Sequence, residues 1–406
     1  MMVALYKRKV FDISKALLSL LIVSINIREP FFHTRELFFF LFIVTSIRFA
    51  NYKNLICSLL LLSAWSVSAI YNLLFEGSNI NFGDGGFETI IAAVYLFLVC
   101  FSEKKYAETI IRAYLFVSTL VAFVIITFWI LCSLSPILYS ALKFFFDDLK
   151  ERRNLMICSI DKRMILGVQF MGIYYRTSPC IICALGYCLI EKLKGNENRN
   201  LLIIIYTFAL FFTAARANMM CAVLLLLVYI VFQLLKNKHF AIAFLLILFC
   251  LFSAILFAIL FLNDKGSHSS SIKAGHQQSY FDVFGTDYLR TIFFGWGAGS
   301  SFYSLGRHKF VNVTELSHLE TVRRYGFLQT LVIFIFIWFR PMYNKFSREK
   351  SILKYFYLVV LLAYIFTACT NPFLIDSFGF CALLFFLTYF DYGDIQNYKS
   401  QTEIRG

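Results

Sequence analysis

Apolar side chains run around every face of long stretches of this chain, and short polar joints separate the runs. Segments such as "LICSLLLLSAWSVSAIYNLLF" and "AIAFLLILFCLFSAILFAILFL" reach roughly 20 residues, the length a helix needs to cross a hydrocarbon layer. The pattern predicts twelve helical spans, over residues 11–26, 36–50, 55–75, 87–101, 112–133, 169–190, 201–214, 217–235, 241–262, 327–340, 353–368 and 374–390. Between them, 134–168 and 263–325 are the two longest joints. The expected fold is therefore all-α, a polytopic integral membrane protein of about 12 transmembrane helices. It forms a single domain over 1–406 with two longer extracytoplasmic loops. The opening "KRKVFDISKALLSLLIVSIN" lacks a small-residue cleavage site, so it is expected to stay as the first span rather than be removed as a signal peptide.

Composition agrees with the pattern. With 60% hydrophobic and 15% charged residues and a mean hydropathy of +0.72, a soluble globular domain is excluded. The charge refines the topology. "KRK", "RFANYK", "SEKK", "EKLKGNENR", "KNKH" and "RPMYNKFSREK" alternate with joints poor in Lys and Arg, such as "EGSNINFGDGG". Basic joints stay in the cytoplasm. Both termini are expected there and the two long loops outside. The net charge of +14 is this topology signal and implies no nucleic-acid partner. The eleven cysteines lie nearly all in apolar runs, so no disulfide framework is expected, and the "CIIC" of Cys180 and Cys183 reads as helix filling. The "NVT" at Asn312 is too short a pattern to carry weight.

Candidate chemistry sits at the outer ends of the spans. Arg216 breaks an apolar stretch at "TAARA", and Arg176 opens a span in "YYRTSPC"; each either snorkels to the interface or serves as an anion clamp. A guanidinium presents a fixed fork of donors that suits phosphate oxygens. Arg290 precedes "FFGWGAGS", whose Gly295, Gly297 and Gly299 suit a tight backbone rather than a nucleotide loop. The first external loop, "SALKFFFDDLKERRNLMICSIDKRM", is either an amphipathic helix on the membrane surface or a solvated loop. "TELSHLETVRRYG" gathers two glutamates, a histidine and two arginines where a span begins. Ser317 and Glu320 have capping-box spacing, and Glu320 is also in helical reach of Arg323 and Arg324 as a surface ion-pair group. Glu315 precedes the cap without an evident local partner, which makes it the preferred base, with His318 able to exchange protons near neutral pH. Several arginines and a base at the outer boundary suit a lipid-held pyrophosphate, whose departing charge the arginines would stabilise. The loops carry no evident metal-ligand set, and no cofactor is expected.

These segments resemble those of the bacterial O-antigen repeat-unit polymerases, in the superfamily that also holds the O-antigen ligases. "TAARA" is similar to the family's small-residue and arginine turn, "FFGWGAGS" to its P-L-L-G-x-G-x-G turn, and "TELSHLETVRRYGFLQ" to E-x-x-Y-L-E-x-x-R-x-x-G. Ligases carry a His-Asn pair eleven residues before the glycine; here Glu315 and Leu316 stand there. His318 takes the place of a tyrosine, and "FFGWG" lacks the usual proline. The resemblance implies a glycosyltransferase of lipopolysaccharide biosynthesis in the bacterial inner membrane, with its active site on the periplasmic side. It would move the growing glycan from undecaprenyl pyrophosphate to a new lipid-linked repeat unit. Glu315, His318 and Glu320 would be catalytic, with Arg216, Arg290, Arg176 and Arg324 on the pyrophosphate. The implied partners are the undecaprenyl-pyrophosphate-linked oligosaccharide, membrane lipid and a chain-length regulator protein. The alternatives are an O-antigen ligase and a lipid-linked oligosaccharide flippase.

Overall fold

The computed structural model describes residues 12–27, 34–76, 87–102, 104–153, 155–165, 168–249, 268–297, 300–312, 314, 316–348, 351–371 and 373–403. The apolar runs fold as helices because only a helix satisfies its backbone hydrogen bonds within one segment. In chain order these are α1 (Ile13–Ile27), α2 (Thr34–Ser46), α3 (Leu55–Glu76), α4 (Phe87–Leu96), α5 (Lys104–Leu134) and α6 (Pro136–Arg153). After a hairpin of β1 (Cys158–Ile165) and β2 (Val168–Tyr175) come α7 (Cys180–Leu193), α8 (Asn200–Phe212) and α9 (Arg216–Lys236). Then follow α10 (Phe240–Phe249), α11 (His268–Thr286), a small hairpin of β3 (Phe302–Ser304) and β4 (Lys309–Val311), and α12 (Ser317–Tyr325). The chain continues through α13 (Phe327–Ile333), α14 (Arg340–Arg348), α15 (Leu353–Cys369) and α16 (Ser377–Glu403).

Among the described residues, three helical stretches, Tyr52–Leu74, Lys105–Leu134 and Arg216–Lys236, are long and apolar enough to cross a membrane. A fourth candidate bends by 50° between Phe327–Trp338 and Arg340–Ser347. The other apolar helices are shorter. α5 shows what surrounds them. Ile110, Tyr114, Val117, Val121 and Ile125 are buried, while Phe116, Phe123 and Ile130, seven residues apart, are exposed on the outside. A row of exposed large apolar side chains on such a helix suits lipid rather than water.

α7 lies at the centre, with Cys180–Leu185 fully buried. Gly186 lets α15 approach so closely that an added Cβ would sit 2.3 Å from Val360 Cγ1. Aromatic stacking fills the layers between helices, with Tyr114 on Phe385 at 4.5 Å and Trp129 on Phe212 at 4.1 Å.

The structure corrects the all-α expectation at two places. Residues 169–175, predicted as the start of the sixth span, belong instead to β2, paired antiparallel with β1 from Cys158↔Tyr175 to Ile165↔Val168. Gly172 there presses on the 213–214 turn, where an added Cβ would come within 2.9 Å of Ala214 Cβ, and Pro179 then starts α7. The large loop is also structured. It holds α11, the β3–β4 hairpin and α12. For the first external loop, the helical alternative holds over Pro136–Arg153, as α6, while Cys158–Ile165 forms β1 instead. Of the ninth predicted span, residues 250–262 lie outside the described residues.

Long-range hydrogen bonds gather one set of helix ends. Tyr175 Oη donates to Ile27 O and Thr177 Oγ1 to Asn26 O, each at 2.5 Å, so the end of α1 meets the β2–α7 turn. Asn218 Nδ2 donates to Ser178 Oγ at 2.9 Å, bringing in the start of α9. Tyr174 Oη donates to Asn371 Oδ1 at 2.8 Å, and the Ser317 hydroxyl donates to Asn371 O, bringing in α15 and α12. Elsewhere, Arg340 bonds Asn54 at 2.7 Å, and Lys236 Nζ donates to Leu193 O at 2.9 Å.

Candidate functional site

α12 is short because Gly326, at φ +84°, ends it and lets α13 leave at a new angle. The turn before it fits against this break. Gly295, at φ +70°, lies so close that an added Cβ would come within 2.5 Å of Arg324 C. At Gly326, an added Cβ would come within 2.8 Å of Phe293 C. Trp296 N donates to Arg323 O at 2.6 Å, Gly297 N to Arg324 O at 3.2 Å and Ser68 Oγ to Arg324 O at 2.7 Å. The carbonyls that a helix end leaves unsatisfied are thus taken up by the glycine turn and by α3. This agrees with the reading of "FFGWGAGS" as a tight, permissive backbone.

On that platform Glu320 is buried and fully engaged. Its Oε1 accepts from Arg323 NH2 at 2.7 Å and from Arg324 Nε at 2.6 Å. Its Oε2 accepts from Arg323 Nε at 3.0 Å and from Tyr280 Oη at 2.7 Å. Arg323 is 1% exposed, reaches Asn312 O and Ser300 O at 3.0 Å each, and lies over the Phe302 ring at 4.9 Å. It therefore fastens both ends of the β3–β4 hairpin to α12.

Two expectations fail here. Glu320 does not close a capping box. Leu316 is the N-cap and makes no side-chain cap bond, Ser317 turns to Asn371, and the Glu320 carboxylate faces the arginines and Tyr280. The ion-pair group is also buried rather than on the surface. Tertiary partners with formal charge outweigh a local cap worth ~1 kcal/mol.

Burial pushes the Glu320 carboxyl up, but Arg323, Arg324 and the Tyr280 hydroxyl outweigh it and hold it below its ordinary value. A carboxylate so held is a poor proton acceptor. It works as an anchor for two guanidiniums, and the three side chains sum to a formal charge of +1. Burial and the nearby carboxylate push the Tyr280 phenol up, so it stays a donor.

His318 is half-buried, with Nδ1 3.3 Å from Cys369 O. A carbonyl only accepts, so Nδ1 carries the hydrogen and Nε2 keeps its lone pair. Burial moves the imidazole below its ordinary value, which leaves it neutral at pH 7. Glu315 lies outside the described residues.

The four predicted arginines fall into two groups. Arg324 and Arg290 share the glycine turn. Arg290 is half-buried; its Nε donates to Gly295 O at 3.2 Å, its NH2 bonds Asn72 Oδ1, and its guanidinium lies over Trp296 at 5.1 Å. Arg176 and Arg216 share the other group. Arg176 is half-buried, with its backbone N on Ile157 O at 2.8 Å and its guanidinium 5.9 Å from the Phe373 ring centre. Arg216, also half-buried, opens α9 after Ala214, which adopts φ +47°. Asn218 ties this turn to Ser178, two residues after Arg176. Asn371 links the two groups, taking Tyr174 from β2 and Ser317 from α12.

Sequence reasoning missed Tyr280, Asn371 and Asn72. Tyr280 lies in the polar "QQSYFDVFG", where nothing marks it. Asn72 did leave a signal, as a polar side chain inside the apolar "SAIYNLLF". Among the described residues, no three His, Cys, Asp or Glu side chains converge as a metal-ligand set. No family model matches the chain, and no curated protein matches it. Glu320, Arg323 and Arg324 form a buried cluster of net positive formal charge on α12, while His318 turns from the same helix to Cys369 O, on a mostly helical protein whose apolar helices suit a membrane.

Proposed function

We propose that this chain is a surface-polysaccharide polymerase of the O-antigen type, with about twelve spans and cytoplasmic termini. Its catalytic end faces the periplasm. The observation that carries the reading is the buried Glu320–Arg323–Arg324 cluster, on the short helix that also carries His318 and leads directly into the apolar α13. A lipid-held pyrophosphate and an acceptor sugar meet at that depth. His318 Nε2 takes the proton from the acceptor hydroxyl, whose oxygen attacks the anomeric carbon of the growing glycan. The bond from that carbon to the pyrophosphate oxygen breaks, and undecaprenyl pyrophosphate leaves with its charge held by Arg324 and Arg290. Arg176 and Arg216 hold the pyrophosphate of the incoming repeat unit. Glu315 is a second candidate for the proton.

A groove of about 310 Å³ along Val67, Ile70 and Leu74, with Tyr71 stacked on Phe294 at 4.1 Å, supports a lipid substrate. It adjoins Asn72 and Gly295, which hold Arg290. An isoprenoid chain in the groove would bring its pyrophosphate to that arginine.

The deciding experiment supplies purified protein in liposomes with a lipid-linked repeat unit. A ladder of lipid-linked polymer is expected, and Arg290→Lys and Arg216→Lys should shorten it, because lysine keeps the charge but loses the fork. Transfer only to a lipid A acceptor would make the protein a ligase. Movement of the lipid across the bilayer without transfer would make it a flippase. For the topology, an outside-active reporter should work at Ser270 and fail at Lys345.

A further inference from the structure

Away from the site, the start of α1, the end of α2 and the start of α5 line an open, shallow cavity of about 400 Å³. Along α1, Ser14 at the cavity and Asn26 at the Thr177 contact are 12 residues apart, roughly 18 Å of helix. Two cations dominate the cavity. Lys105 Nζ lies 3.3 Å from the centre of the Phe49 ring, and Arg48 Cζ lies 4.7 Å from the same centre. Among the described residues, Asp12 is the one carboxylate that lines the cavity. Its Oδ2 is 3.9 Å from Lys105 Nζ, while its Oδ1 accepts from Ser14 Oγ at 2.6 Å. The described lining residues thus carry a formal charge of +1, with the Ser14 and Thr45 hydroxyls beside them.

The surface next to the cavity says what kind of anion fits. On α2 and the 3-10 turn that continues it, Leu37, Phe40, Leu41, Val44 and Ile47 are all exposed and follow i, i+3, i+4, i+7, i+10. They make one apolar face that ends at Thr45 and Arg48, on the cavity rim. A span such as this one already lies against acyl chains, so the phosphate nearest the cations is one that a membrane lipid carries. A phospholipid uses both the cations and this face.

We propose that this cavity holds the phosphate of an anionic phospholipid whose acyl chain lies along the exposed face of α2. Arg48 and Lys105 contact the phosphate oxygens, and Asp12 accepts from a headgroup hydroxyl such as that of glycerol. Basic pockets between membrane helices suit such headgroups. This site is independent of the proposed transferase reaction.

The test is native mass spectrometry of the full chain in detergent with phosphatidylglycerol, phosphatidylcholine or inorganic phosphate added. Phosphatidylglycerol should be retained at least about tenfold better than phosphatidylcholine, equivalent to about 1.4 kcal/mol. Arg48→Gln with Lys105→Gln should abolish that preference. Thr45→Trp, which fills the cavity without changing charge, should lower retention of phosphatidylglycerol and decides the matter if the charge variant does not fold. Equal retention of the two lipids by the unaltered chain would overturn the proposal, as would an unchanged preference in the folded variants. Displacement of phosphatidylglycerol by millimolar inorganic phosphate would replace the lipid with a free-phosphate site.

Discussion

α6 and α12 are both short helices rich in charge, and they use it in opposite ways. On α6, Lys143 meets Asp161 at 3.0 Å with the two side chains 38% and 42% exposed, and Arg152 meets Asp148 with its own side chain 77% exposed. Its apolar residues Ile137 and Phe144 also face outward, 80% and 71% exposed, while Phe146 and Leu149 pack inward. On α12, Glu320 and both arginines have less than a tenth of their side chains exposed. An exposed pair is screened by water, so its removal costs little. A buried pair that loses one partner leaves a charge with no solvent to replace it. Charge density in a sequence does not distinguish these cases; the partners brought by distant segments do.

The sharpest way to break the comparison is Glu320→Gln. It leaves Arg323 and Arg324 buried with their shared counter-charge gone, at an expected cost of about 3–5 kcal/mol. Protein level in the membrane and the melting temperature in detergent should both fall, and transfer should cease. Adding Arg324→Gln should recover part of the stability, since one excess charge goes with it. Wild-type melting of Glu320→Gln would remove the cluster from the account. The pH dependence has a definite sign. The carboxyl is held below its ordinary value in the fold, so its contribution is complete above the normal carboxylate range and fades as pH falls through the folded value.

Next in size is His318→Ala. Loss of a general base costs about 10²–10⁴ in rate, with little change in protein level. The imidazole titrates below its ordinary value, so wild-type activity should hold steady near pH 7 and decline on the acid side. That acid limb should vanish in the variant. A full rate from His318→Ala would hand the proton to Glu315. For stability the sign is the same as for Glu320, because the folded state binds fewer protons than the unfolded chain as pH falls into this window.

Gly326→Ala should cost less, about 1–3 kcal/mol from a positive φ, with further loss where its Cβ meets Phe293 C at 2.8 Å. Gly285→Ala is the control, since an added Cβ there meets no atom within 4 Å. Equal melting temperatures for the two variants would show that the crossing of Gly295 and Gly326 can relax.

Much of this was legible in the chain. The apolar runs become helices, the charged knot lands on a helix at the foot of α13, and "FFGWGAGS" makes the close turn its glycines suggest. The failures share a cause. Ser317 and Glu320 have the spacing of a capping box, but Tyr280, 40 residues away, and Asn371, 54 residues from Ser317, claim them instead. "VQFMGIYY" is as apolar as a span, and a run of that length does not by itself separate strand from helix. Its pairing with "CSIDKRMI" becomes visible only when β1 is recognised as a strand. Arg176 and Arg216 could be marked as candidates, but their shared neighbourhood needed Asn218 and Ser178 to be brought together.

The smallest effect belongs to α6 and tests the comparison from its weak side. Lys143 donates to Asp161 at 3.0 Å, and the ammonium is raised above its ordinary value mainly by that bond. Burial pushes Asp161 up, but the Ser159 hydroxyl and Lys143 together bring it below the usual carboxylate value. Shifts of this kind resemble those on α12 in direction, so shifts alone would rank the two pairs together. Exposure ranks them apart. With both side chains more than a third exposed, water and salt take up most of what Lys143→Ala removes, and the expected loss is about 0–1 kcal/mol. The Ser159 hydroxyl, still bonded to Asp161, also keeps the carboxylate partly satisfied after the lysine is gone. Melting of the Lys143→Ala variant should therefore lie close to wild type, and the residual difference should shrink in 1 M salt, where the screening length falls to about 3 Å. A loss of several kcal/mol that ignores salt would mean that α6 carries its charges as α12 does, and that exposure is the wrong measure by which to separate the two helices.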